Sequence, residues 1–304
     1  MSTNDGFITM PDGVRLFFEK LGTGPTTLVI LNGVFYLDDF KYLSSQHTLV
    51  SLDLRNRGRS DLLNDPSKLE RGINQDVDDL ENVRQYLGLS RFHLLAHSYA
   101  GMTPILYALK YPSHVDRIVQ IGPVPPDAAK QYPPDLTNFD ATLREFFAKA
   151  QELEKQRGSE APVEFCKKFW SLLRVIYVAD SSDADKIIKW ERCDLPTELN
   201  LMKYWLEHLA PSIQGVKLTA SDLTVINSPV LTVHGTKDRS APYGGARDWA
   251  TMLPNARLLT IQGVAHAPWI EAPEQVLGPI QTFLGGSWPT AAEKVSPLTG
   301  SERL

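Results

Sequence analysis

Cysteine is nearly absent: Cys166 and Cys193 are the only two in 304 residues. Two are too few for a disulfide framework, and they lack metal-ligand spacing, so a reducing compartment and a cytoplasmic protein are expected. Excess charge is scarce as well. Lys and Arg number 31 against 36 Asp and Glu, a net charge of −5, and no stretch is dense in basic residues. That balance argues against nucleic acid or an anionic membrane as the main partner. No apolar run approaches the roughly 18 residues of a membrane-spanning helix. The opening Met1-Ser2-Thr3-Asn4-Asp5 has no basic or apolar region, so no signal peptide is expected. No His-Glu-x-x-His pair and no phosphate-binding loop occur, and Gly22-Thr23-Gly24 precedes an apolar run rather than following one. The expectation is therefore a protein without metal or organic cofactor, acting on a small molecule as a monomer or homodimer.

What is present is an apolar fraction of 42% in a chain long enough to bury it. At roughly 150 residues per domain, that length means two domains, or one large domain with an insertion. Residues 7–10 and 14–20 flank Pro11-Asp12-Gly13, a hairpin signal because Asp-Gly tolerates the positive φ of a tight turn. Short, almost wholly apolar runs follow at 27–31, 49–53, 92–96, 115–121, 230–234 and 258–261. Runs apolar on both faces suit the buried strands of a parallel sheet. Between them, Ile73, Val77, Leu80, Val83 and Leu87 mark one face of a helix that Gly88 is placed to end. Residues 99–111, 242–253 and 272–284 read as further helices, the first stopped by Pro112. Strands alternating with helices predict a doubly wound, mostly parallel α/β sheet.

The rhythm breaks at residues 124–223, where prolines punctuate the entry and helical periodicity continues through Phe146, Phe169 and Trp205. This reads as an inserted helical cap, with core segments at 1–123 and 224–285. The tail, 286–304, has no periodicity and is expected to be loose.

The sharpest local feature is Leu94-Leu95-Ala96-His97-Ser98-Tyr99-Ala100-Gly101, a strand running straight into a helix. So abrupt a turn needs small neighbours, here Ala96, Ala100 and Gly101, and it lifts Ser98 above the sheet beside a helix N-terminus. The bland alternative is a serine that merely caps a helix. A serine nucleophile needs a base, and that base needs an orienting carboxylate. His266 follows the last strand and Asp238 the one before, so both lie on the sheet edge from which Ser98 emerges. His93 lies within a strand, His97 is fixed on the turn, and His234 reads as a core histidine.

At this point the sequence resembles the α/β-hydrolase superfamily, its capped serine hydrolases, over roughly residues 7–284. The resemblance rests on Leu31-Asn32-Gly33-Val34 after the third strand, on Asp53 to Ser60 as Asp-x-x-x-x-Gly-x-Ser, and on the turn at Ser98. Gly-x-x-Asp at Asp238 and the stretch from His266 to Glu274 complete it. The order Ser, Asp, His is the superfamily's own. The resemblance implies the α/β-hydrolase fold, with Ser98 as nucleophile, His266 as general base and then acid, and Asp238 as orienting carboxylate. It implies an oxyanion hole from the N–H groups of Tyr99 and Val34. Asn32 replaces the common histidine, and Val34-Phe35 replaces small glycines, narrowing the acyl side.

Arg55, Arg57 and Arg59 are expected to brace their loop through ion pairs rather than to bind an anion. Among the cap aromatics most are expected in the cap core, while Trp170 and Tyr204, with Phe35 and Trp269, are candidates to face substrate. Asp180, Asp183, Asp185, Glu191, Asp194 and Glu198 are expected to be solvated faces or helix caps. The expected activity is hydrolysis of a small to medium carboxylic ester with an apolar part through an acyl-enzyme. The alternatives are a carbon–carbon bond hydrolase, an aminopeptidase like the proline iminopeptidases, and a hydrolase-fold receptor without turnover.

Overall fold

The tight turn at Pro11-Asp12-Gly13 forms as its residues dictate: Gly13 takes φ +84°, and the Asp12 carboxylate accepts the Val14 N–H at 3.2 Å. It joins β1 (Asn4–Thr9) to β2 (Arg15–Leu21), the antiparallel margin of the sheet. The computed structural model describes residues 4–296. The apolar runs become β3 (Thr26–Leu31), β4 (His47–Leu52), β5 (Phe92–His97), β6 (Val115–Ile121), β7 (Val230–Gly235) and β8 (Ala256–Ile261). These strands are mutually parallel, in an eight-stranded sheet ordered β1-β2-β4-β3-β5-β6-β7-β8. Every residue of β5 and β7 is buried, as two-sided apolar runs require.

In the core the helices are α1 (Gly33–Phe40), α2 (Ile73–Tyr86) and α3 (Met102–Lys110). Between β6 and β7 come α4 (Ala141–Lys155), α5 (Pro162–Tyr177), a 3₁₀ stretch at Ser181–Trp190 and α6 (Pro196–Leu199). There α7 (Leu201–Tyr204) passes through one π-type turn into α8 (Ala210–Gln214). The core then resumes with α9 (Tyr243–Met252), α10 (Pro268–Glu271) and α11 (Pro273–Leu284). Alternate strand residues face opposite layers. Val29, Leu31 and Leu94 pack with α2, α3 and α9, while Leu28, Ile30 and Leu95 pack with α1 and α11. No helix among the described residues is long and apolar enough to cross a membrane.

Three features depart from expectation. The stretch after β3 is a helix, α1. Its first residue, Gly33, lies so close to β4 that a Cβ there would fall 1.8 Å from Ser51 Oγ. Next, the tail is docked as far as it is described: Leu258 and Glu293 exchange backbone hydrogen bonds at 2.9 and 3.0 Å. Trp288 packs at a tilt against Phe283 and lies under the Arg257 guanidinium. Residues 297–304 lie outside the described residues. Finally, Cys166 of α5 and Cys193 are joined by a disulfide with their Cα atoms 5.9 Å apart. They stand 27 positions apart in sequence, and only the fold of the segment between β6 and β7 brings them together. The two cysteines, too few for a disulfide framework, are thus paired with each other.

Candidate active site

The strand-to-helix turn at Ser98 is as abrupt as its neighbours allow. Ser98 sits at φ +59°, a left-handed conformation unusual for a residue with a side chain. Ala96 and Ala100 are wholly buried, and a Cβ on Gly101 would meet Pro123 at 3.0 Å. Ser98 itself stays partly exposed above the edge of the sheet.

Asp238 lies in the loop after β7 and is fully enclosed by donors. Its Oδ1 accepts the backbone N–H groups of Ser240 at 2.7 Å and Ala241 at 2.9 Å. Its Oδ2 accepts His266 Nδ1–H at 2.7 Å, and His234 Nε2 stands 3.3 Å away. Burial alone would raise this carboxyl, but the two histidines and the Ala241 amide outweigh it and hold Asp238 below its usual range. His234 is thus more than a core histidine, since it reaches the same carboxylate oxygen as His266.

His266 is held on almost every polar atom. Its N–H donates to the Tyr177 carbonyl at the end of α5 at 3.1 Å, and its own carbonyl accepts from His97 Nε2 at 2.8 Å. With Nδ1 on Asp238, only Nε2 is buried without a partner. Glu271 fixes the same loop by accepting Ala265 N–H and, on its other oxygen, Ala179 N–H just past α5, both at 2.7 Å. Gly122, at the end of β6, closes in from below: a Cβ there would lie 3.0 Å from His266 Nδ1 and 3.3 Å from Asp238 Oδ2. Asn138 steadies the Asp238 loop by donating to the carbonyls of Thr236 and Asp238, each at 3.0 Å. None of these supports stands in a recognisable sequence motif, except that Glu271 falls within the quoted stretch from His266 to Glu274.

Expectation and geometry part at Val34. Its N–H donates to Asp53 Oδ1 at 2.8 Å, so this amide is engaged inside the core. Asp53 also takes the N–H and Nε–H of Arg59 at 3.0 and 2.7 Å. Asn32, at φ +54°, donates from Nδ2 to Tyr99 Oη at 3.1 Å, while its Oδ1 is buried without a partner. The three arginines brace their loop as expected: Arg55 pairs with Asp79 and Asp12, Arg57 with Asp76, and Arg59 with Asp53 and Glu19.

Phe35 and Trp170 meet ring to ring at 6.0 Å, joining α1 to α5. Tyr204 lies under the Arg57 guanidinium and lines a cavity of about 160 Å³ together with Asn56, Leu69 and His208. Trp269 is occupied by packing instead: its ring lies against His97, Trp190 and Phe40, and its Nε1–H donates to Asp39 at 3.1 Å. Of the cap acids, Asp180 caps a helical turn as expected. Glu198 does the opposite of facing solvent. It is 4% exposed, Oε1 accepts Gly58 N–H at 3.0 Å, and Oε2 is buried without a partner. Beside it Thr197 Oγ1 donates to the Gly58 carbonyl, so α6 is clipped to the loop after β4. Among the described residues no cluster of three or more His, Cys, Asp and Glu is arranged to hold a metal ion.

Known proteins are similar to this chain over most of its length. The chain is 23% identical over 287 residues to a 2-hydroxy-6-oxononadienedioate/2-hydroxy-6-oxononatrienedioate hydrolase of Paraburkholderia phymatum, covering 90% of this chain and 91% of that one. It is likewise 23% identical over 308 aligned positions to a proline iminopeptidase of Heyndrickxia coagulans, covering 92% and 98%. The structure of an esterase from Exiguobacterium antarcticum superposes with a TM-score of 0.70 at 20% identity, over 92% of this chain and 99% of that one. A model of the alpha/beta hydrolase fold family matches residues 33–273. A sheet of this order, a strand-to-helix turn at its centre and that family match make the chain a member of the alpha/beta hydrolase fold family and a hydrolase.

Proposed function

We propose that this hydrolase cleaves a small to medium carboxylic ester with an apolar part, through Ser98, His266 and Asp238. The observation that carries the reading is the state of His266. Its backbone and Nδ1 are held, its Nε2 is unpartnered, and it lies on the sheet edge where Ser98 emerges. In this mechanism Ser98 Oγ attacks the ester carbonyl carbon while its proton passes to His266 Nε2. Asp238 stabilises the imidazolium through Nδ1–H. His266 then returns the proton to the leaving alkoxide, and an acyl-enzyme remains on Ser98. Water, deprotonated by His266, attacks the acyl carbon, and collapse of that adduct frees the acid and restores the Ser98 hydroxyl. The Tyr99 N–H, at the start of the turn into α3, serves as the oxyanion donor, while the Val34 amide serves only if it leaves Asp53. Phe35 and Trp170 supply apolar surface for the substrate.

A second reading has its own observation. Glu198 Oε2 and Asn32 Oδ1 are buried acceptors without donors, which favours a substrate that brings an N–H or ammonium group, as an aminopeptidase substrate does. One experiment separates the two: hydrolysis of p-nitrophenyl esters from acetate to decanoate beside a panel of amino-acyl nitroanilides, with Ser98→Ala as control. Ester turnover lost in Ser98→Ala supports the first reading, and nitroanilide turnover with silent esters supports the second. Turnover or phosphonate labelling that persists in Ser98→Ala refutes both.

A further inference from the structure

Seven histidines are present, and the proposed chemistry uses one of them. His97, the residue before Ser98, is almost wholly enclosed beside the site. It is 1% exposed, with the rings of Trp269 at 4.9 Å, Tyr36 at 5.3 Å and His266 at 4.3 Å around it. Two hydrogen bonds leave its ring: Nε2 meets the His266 carbonyl at 2.8 Å, and Nδ1 meets Tyr36 Oη at 2.9 Å.

The partners fix the protons. A carbonyl oxygen can only accept, so His97 Nε2 carries the hydrogen. Burial, with the neighbouring His266 opposing any positive charge, holds the imidazole neutral and well below its usual pKa. A neutral ring protonated on Nε2 has a bare Nδ1, so the Tyr36 phenol is the donor there. One tautomer thus satisfies both ends and ties together three segments far apart in sequence: α1 through Tyr36, the end of β5 through His97, and the loop after β8 through His266. The loop after β8 has to reach across β7 and β6 to arrive beside β5. The hydrogen bond from His97 meets it there.

We propose that His97 is a positioning residue. Its Nε2–H grips the His266 carbonyl, and with the Tyr177 carbonyl on the His266 N–H it fixes the peptide that carries the imidazole, with Nδ1 on Asp238 and Nε2 left without a partner. The proposal rests on the reading of Ser98, His266 and Asp238 given above. Its consequence is that the residue before the serine matters through a hydrogen bond, and only secondarily through the space it fills. Reactive groups misplaced by a fraction of an ångström lose rate with little effect on binding.

The test compares His97→Phe, which keeps a ring and removes the donor, with His97→Gln, whose side-chain amide can still reach the His266 carbonyl. Each is assayed with p-nitrophenyl butyrate for kcat and KM separately. A fluorophosphonate gives the rate constant for labelling of Ser98, and proton NMR follows the far-downfield resonance of His266 Nδ1–H. His97→Phe is expected to lower kcat and the labelling rate about 10–100-fold with KM within about threefold, and to weaken the downfield resonance. His97→Gln should recover most of the loss. Tyr36→Phe, which leaves the His97 donor in place, should cost less than about tenfold and serves as the milder probe if His97→Phe does not fold. Equal losses in folded His97→Gln and His97→Phe would overturn the proposal in favour of simple packing, as would His97→Phe at wild-type kcat. Ser98→Ala is run alongside: if it still turns over ester or takes the label, the underlying reading fails, and His97 with it. If Ser98→Ala is inert while His97→Phe is unimpaired, only the proposal for His97 fails.

Discussion

Replacing Glu198 by Gln should stabilise the protein, and the gain should grow with pH. Glu198 of α6 is buried against the loop after β4, with Oε1 on the Gly58 amide and nothing on Oε2. Burial raises its carboxyl from the usual 4.5 to about 7, the Gly58 N–H pulling the other way and the Asp53 charge adding to the rise. In the unfolded chain the carboxyl titrates normally. Between these two values the folded protein therefore holds a proton that the unfolded chain has released, so stability falls as pH rises through this window. Below about 4.5 no cost is present, and above about 7 it is complete. A rise of this size, at ~1.4 kcal/mol per unit, sets a ceiling of about 3 kcal/mol, and relaxation of the surroundings brings the expected cost to about 1–3 kcal/mol. Gln keeps the acceptor for Gly58 and the volume while removing the titration. Urea denaturation at pH 5, 6.5 and 8 should show the variant gaining on the wild type by that amount across the series. A stability difference that stays flat from pH 5 to 8 would refute the reasoning, because a residue whose charge is not penalised by burial gives no such slope.

Gly122→Ala should lower kcat by about tenfold or more, because its methyl would press on both His266 and Asp238 at a left-handed φ of +53°. An alanine enzyme with unchanged kcat would show that the His266–Asp238 pair tolerates displacement. Asp238→Asn should keep the fold and the Ser98 side chain but cut kcat by about 10⁴, since an amide in that position favours the wrong His266 tautomer; a loss below tenfold in ester assays would assign the orienting role to another group. Reducing the Cys166–Cys193 disulfide, or replacing both cysteines by serine, should cost about 3–4 kcal/mol, from the chain entropy released by a loop of 27 residues. Denaturation midpoints that coincide with and without reductant would contradict this.

The strands could be read because each is a short apolar run bounded by turn residues, and β5 and β7 are buried on both faces as such runs require. The turn at Ser98 was legible for a related reason: Ala96, Ala100 and Gly101 leave the backbone room that larger side chains would close. What escaped depends on partners remote in sequence. Nothing about Val34 announces that its amide will be taken by Asp53, nineteen residues on. Glu198 looks like any acid near a helix start until α6 is laid on Gly58. The pairing of Cys166 with Cys193 needs α5 and the following 3₁₀ stretch folded back on each other. Gly122 has no local signal at all, since its constraint is the space left by two side chains from other loops.

The short run 177–179 at the end of α5 has a consequence for how such a protein can change. The Tyr177 carbonyl takes the N–H groups of His266 and Ala267, Arg239 donates to the Val178 and Ala179 carbonyls, and Glu271 takes the Ala179 N–H. This stretch of the insertion is therefore a mechanical part of the loops that carry His266 and Asp238. The outward faces of α4 and α8 have no such duty. Over evolutionary time those helices can be lengthened, trimmed or recoloured to admit new molecules, while 177–179 acts as a fixed seam whose alteration is felt at once in the loops it joins.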